Sequence, residues 1–154
     1  MEMIINNLKK FTAAGLILLC SFAGAQSSDG SLSMQVLSPV LRQDTGKANK
    51  NNRTLNFTLN VKAVNDLRSF KVLLVDQDNK TIVDLGEYEA KRHENGFYYV
   101  ENRSKEKMTV LNNDIYFSKL IKAEDLPKIK TLSLSYQSLS NQVKTVKTEL
   151  PVSK

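Results

Sequence analysis

The chain has 154 residues, a formal charge of +6, a single cysteine, a single histidine and no tryptophan. The length suffices for one domain with its own core. The cysteine and histidine counts exclude a disulfide framework and a zinc centre built from those residues. A basic balance is compatible with nucleic acid, but the lysines are scattered, apart from "KANKNNR" at Lys47 to Arg53. A solvated surface accounts for such scatter, with weak attraction to anionic lipid or polysaccharide as the alternative.

The N-terminus carries the strongest signal. Met1 to Lys10 closes on the pair Lys9 and Lys10, and an uncharged, largely apolar run follows, "FTAAGLILLCSF". Ala23, Gly24 and Ala25 then supply small residues where a signal peptidase reads. This is the layout of a secretory leader, with cleavage expected between Ala25 and Gln26. The apolar run falls short of the roughly 20 residues a membrane span needs. Cys20 follows Leu19, a poor match to a lipoprotein signal, so it reads as an ordinary leader residue. The leader's Glu2, Lys9 and Lys10 carry one unit of the +6, leaving about +5. An exported chain without cysteine must hold together by packing. The expected organisation is a signal peptide at 1–25, a flexible lead-in at 26–33 and a single domain at 34–152. The expected location is periplasmic or secreted, in a bacterial envelope.

Within the domain, "MQVLSPVL" reads as a strand interrupted by Pro39, which cannot donate to a ladder and so belongs at an edge. In "TLNFTLNVKAV", Leu55, Phe57, Leu59 and Val61 alternate with polar residues, the period of a strand with one buried face. "SFKVLLVD" is apolar on both faces and reads as a central strand. "TIVDLGEYEA", "FYYVENR", "MTVL" and "IYFSKLI" follow as strands, with "KRHENG" as a loop and "NND" as a turn. "KAEDLP" is a connection with room for one helical turn before Pro127. In "IKTLSLSYQS" the inner face is expected to hold Ile129, Leu132, Leu134 and Tyr136. "VKTVKTELPV" has irregular spacing at Val143, Val146 and Leu150, which a bulge near Thr145 would bring into phase. Eight or nine short strands with regular turn signals predict an all-β antiparallel sandwich, with a small antiparallel barrel as the alternative.

The run "NDIYFSKLIKAEDLPKIKTLSLSYQS" resembles the E strand, E–F connection and F strand of fibronectin type III and related immunoglobulin-like domains. Leu126 and Pro127 precede the alternating Leu132 and Leu134 as that pattern asks. The chain departs from it in having no core tryptophan and no cysteine pair, and Tyr136 falls too late in its strand for a tyrosine corner. The resemblance implies a sandwich and, by analogy, an adhesion or interaction role.

Four features invite a functional reading. Asp76, Asp78, Asp84 and Glu87 match the first, third, ninth and twelfth places of a calcium loop, but Lys80 occupies the fifth and Thr81 the sixth, where an oxygen ligand and glycine belong. A hairpin turn explains the same letters, and no metal is expected. His93 lies in a loop with no nucleophile elbow elsewhere in the chain. Glu87 and Glu89, at spacing two, point together from the wet side of a strand. Tyr98, pointing away from Phe97 and Tyr99, forms with Tyr88 of a neighbouring strand a candidate flat surface for sugar rings or a partner, against ordinary cross-strand packing. The expectation is a non-enzymatic exported protein, without cofactor, that acts on an envelope or surface protein partner or as a structural component. A small-ligand or carbohydrate-binding module using Tyr88 and Tyr98 is the alternative.

Overall fold

The computed structural model describes residues 32–43 and 51–151. The leader, Cys20, the cleavage site, the lead-in up to Ser31 and most of "KANKNNR" lie outside the described residues. Strands β1 (Ser33–Gln43), β2 (Arg53–Lys62) and β7 (Asp114–Ile121) form a three-stranded sheet in the order β1-β2-β7. Strands β3 (Leu67–Val75), β4 (Thr81–Arg92), β5 (Tyr98–Asn102), β6 (Lys107–Thr109), β8 (Thr131–Ser138) and β9 (Val143–Glu149) form a six-stranded sheet in the order β6-β5-β4-β3-β8-β9. All pairings are antiparallel. No ladder joins the two sheets among the described residues, so the protein is a sandwich and not a closed barrel.

The chain changes sheet between β2 and β3, between β6 and β7, and between β7 and β8. The first crossing uses a 3₁₀ turn, Val64–Asp66, entered through Ala63 at φ 57°. The second is a tight turn in which Leu111 and Asp114 exchange backbone hydrogen bonds at 2.9 and 2.8 Å. Asn112 and Asn113 occupy its centre at φ 51° and 68°, a left-handed pair that asparagine tolerates better than most residues. The third crossing uses a 3₁₀ turn, Leu126–Lys128, with its proline early in the turn.

Alternation along β2 buries Leu55, Phe57, Leu59 and Val61, and β8 buries Leu132, Leu134 and Tyr136 opposite them. Four rings tie the sheets together. Phe57 stacks on Phe117 at 4.8 Å and Phe70 on Tyr88 at 5.3 Å. Phe117 stands edge-on to Phe70 and Tyr88 at 6.1 and 5.5 Å. Each such pair adds about 0.5–1.5 kcal/mol beyond its buried area. The cluster occupies the centre of a core that has no tryptophan.

The structure refines several expectations. β1 is an edge strand whose register shifts between Leu37 and Val40, where Ser38 at φ 50° and Pro39 interrupt the ladder. The domain starts slightly before residue 34, since Leu32 is buried and Ser33 already pairs with Lys62. β4 continues through Lys91 and Arg92, leaving His93 to Gly96 as the turn. The bulge expected near Thr145 is absent: β9 pairs with β8 in unbroken register from Val143 to Glu149. Val143 lies opposite Gln137 on the outer face and is exposed, so only Val146 and Leu150 turn inward. The bulges fall instead in β4, at Leu85 and near Ile82, where the pairing with β3 skips a residue.

Candidate functional site

Tyr88 and Tyr98 do not make a shared surface. The β4–β5 ladder sets Tyr88 opposite Asn102 and Arg92 opposite Tyr98. The two tyrosines are therefore four rungs apart, roughly 13 Å along the strands. Both face inward. Tyr88 is completely buried against Phe70 and Phe117. Tyr98 is half-buried against the core, with the Arg92 guanidinium 5.5 Å from its ring centre. Cross-strand and core packing uses the Tyr88 ring, and no flat aromatic face is offered there.

The Tyr88 hydroxyl instead anchors a polar clasp. It donates to Glu106 Oε2 at 3.1 Å, and Lys119 Nζ, reaching from the opposite sheet, donates to the two Glu106 oxygens at 2.8 and 2.9 Å. Asn102 holds the same carboxylate at 2.9 Å and receives the Glu106 N–H at 3.0 Å. Burial pushes the Tyr88 phenol up, while the Lys119 bond holds Glu106 below the usual carboxylate range. Burial works against the Lys119 charge, yet its bonds to Glu106 and Tyr88 raise it overall. The clasp fastens the edge of one sheet to β7 of the other.

On the outer face of the large sheet, Glu101 is nearly buried between Lys91, to which it is hydrogen-bonded, and Lys107 at 3.8 Å. The Lys91 bond lowers the Glu101 carboxyl, and the same bond raises Lys91. His93 is exposed and lies over Tyr99, ring centres 4.1 Å apart. Glu87 and Glu89 are exposed on this side, in a shallow groove that also holds Lys91, Arg103 and Lys105. Among these carboxylates Glu101 is the one held in ion pairs, to Lys91 and Lys107.

The stretch from Asp76 to Lys80 is a turn. Asp76 Oδ1 accepts the N–H groups of Asp78 and Lys80, each at 2.9 Å, and Asn79 sits at φ 62°. Asp84 is engaged elsewhere, accepting Gly86 N–H at 2.9 Å. Among the described residues no cluster of three or more histidine, cysteine or acidic side chains could hold a metal ion. No helix among them is long and apolar enough to cross a membrane.

Two further features were not visible in the sequence. The first is the outer face of the small sheet. Its rungs bring Leu37, Thr58 and Tyr116 into one row, and Val40, Asn56 and Ser118 into the next. The flanking rows are Gln35, Asn60 and Asp114, and Arg42, Thr54 and Leu120. Within these four rows only Asp114 and Arg42, at opposite corners, are charged, with exposed Lys62 one row beyond Asn60; the Asp114 carboxylate accepts a bond from Asn60 at 2.7 Å. Leu37, Val40, Tyr116 and Leu120 are all well exposed, Tyr116 at 61%. The residues alternate out of three separate strands, so only the register reveals the patch.

The second is a cavity of about 410 Å³ where both sheets end. Leu41, Leu74, Ile121, Ile129 and Leu150 line it, together with Ala123, Pro127 and Arg53. Comparison of the chain with models of known protein families, with curated proteins and with solved structures finds no match.

Proposed function

We propose that the protein is an exported, non-enzymatic β-sandwich that acts in the bacterial envelope by docking a protein partner or filling a structural place. The observation that carries the reading is the outer face of the small sheet. In a chain that is 25% charged, its two inner rows hold no charge at all and present three large apolar side chains. A contiguous apolar patch rimmed by polar groups marks an interaction surface more often than a solvated one. Tyrosine at its centre is the residue type enriched in such contacts. The leader pattern at Met1 to Ala25 supports export, and the pairing of Glu101 with Lys91 and Lys107 supports a structural role for that carboxylate.

A photo-crosslinking residue placed at Tyr116 in the exporting cell tests this. A discrete adduct is expected from position 116 and none from Gln137, on the outer face of the other sheet. Leu37→Lys with Leu120→Lys is expected to abolish the adduct while leaving Tm within about 2 °C, because exposed positions contribute little to stability. Equal labelling from both faces would overturn the reading.

A further inference from the structure

Resting on the reading of the small sheet's outer face as a docking surface, we propose that its occupant is a second copy of this chain. A two-fold axis sets Arg42 of each copy against Asp114 of the other. In a two-fold contact one patch meets itself, so the patch must be complementary to itself. The rows of this face meet that demand. Asp114 ends the row of Gln35 and Asn60 on the β7 side, and Arg42 ends the row of Thr54 and Leu120 on the β1 side. The two charges are opposite in sign and stand at diagonal corners, with two uncharged rows between them. A half-turn about an axis lying between the faces, perpendicular to that diagonal at its midpoint, exchanges the corners. It forms two ion pairs and lays the uncharged rows of one copy across those of the other.

Net charge favours this approach over others. The chain carries +6, so two copies repel one another, most strongly at low salt. Within the four rows the charges cancel, and the face brings no net charge against its own kind. Exposed Lys62 lies one row beyond Asn60, outside the exchanged corners. Arg42 is exposed and Asp114 half-buried. The bond from Asn60 uses one of the roughly four acceptor positions of the Asp114 carboxylate, which leaves others for a guanidinium. Three strands about 4.8 Å apart and four rows about 6.8 Å apart span roughly 10 by 20 Å between backbone positions. With its side-chain margin the face offers roughly 400–500 Å² per copy, well under the roughly 800 Å² of a standard interface. The dimer is therefore weak, with a Kd on the order of 10–100 μM. In such a contact the corner charges set register and choice of partner more than affinity.

The test is sedimentation velocity of the leaderless chain, Gln26 to Lys154, over about 1–500 μM, a range that brackets this Kd. Monomer is expected at the low end and dimer at the high end. Arg42→Asp sets carboxylate against carboxylate at both corners and is expected to raise Kd at least about tenfold. Asp114→Arg sets guanidinium against guanidinium, with the same expected loss. An equimolar mixture of the two variants rebuilds both ion pairs in the mixed dimer and is expected to associate about as well as the original chain. Should Asp114→Arg not fold, Asp114→Asn added to Arg42→Asp removes the repulsion at nearly unchanged shape and is expected to recover part of the lost affinity. A chain that stays monomeric throughout, a Kd indifferent to Arg42→Asp, or folded variants that fail to rescue one another would overturn the proposal. The Tyr116 crosslink separates that failure from failure of the docking reading. An adduct of twice the chain's mass agrees with self-association. A discrete adduct to a different protein, from a chain that stays monomeric, overturns the dimer and leaves the docking reading standing.

Discussion

At the scale of single residues, the β4 bulge makes Gly86 irreplaceable. It sits at φ +118°, and a Cβ there would stand 3.0 Å from the Tyr88 ring. Gly86→Ala is expected to cost about 1–3 kcal/mol, read as a lowered urea midpoint at unchanged slope. The clasp residues set the pH response. Glu106 is held below its ordinary 4.5, so its contribution is complete above that value and is lost as pH falls through the lowered one. Glu101 is lowered too and adds to the same acid limb. Lys119 is raised above 10.5 and Tyr88 above 10.0, so their contributions are complete below those values and fade in strong alkali. Glu106→Gln is expected to cost about 1 kcal/mol at neutral pH, a modest figure because solvent screens the exposed carboxylate. The same variant should flatten part of the decline in stability below pH 4.5, measured by urea titration at several pH values.

At the scale of elements, how much was legible depended on whether one strand or two decided the outcome. β2 was legible because Leu55, Phe57, Leu59 and Val61 state their own period. The hairpin at Asp76 was legible because its aspartate and asparagine carry the turn chemistry within five residues. Tyr88 and Tyr98 misled because their distance depends on where the β4–β5 turn closes, and the His93–Gly96 turn closes it four rungs away. Val143 misled in the same manner, since an apolar residue on an edge strand need not face the core. The outer face of the small sheet is a property of three registers at once. The β6–β7 turn gives a prediction of its own. Asn113→Gly is expected to be neutral or slightly stabilising at φ 68°, whereas Asn113→Val should cost about 1–2 kcal/mol in thermal unfolding.

At the scale of the whole molecule, the ring cluster makes the two sheets a single cooperative unit. Phe117 belongs to the small sheet and touches Phe57 beside it and Phe70 and Tyr88 across the core. Phe117→Ala is expected to cost about 3–5 kcal/mol. The loss should appear in one transition, with tyrosine fluorescence and far-ultraviolet circular dichroism coincident; separate melting of the sheets would contradict this.

The placement of the terminal strands has a mechanical consequence. Lys144 Nζ reaches the carbonyl of Leu32 at 3.3 Å, so β1 and β9 begin at the same end of the sandwich. Leu41 and Leu150 meet again at the opposite end. The two strands therefore run side by side in the same direction, and the chain enters at one pole and leaves at the other. Tension applied between Leu32 and Pro151 is directed along the strand axes. The rungs joining β1 to β2, and β8 to β9, then bear the pull together in shear instead of parting one after another as a zipper would. A protein anchored at one terminus and loaded at the other would resist extension with its whole ladder.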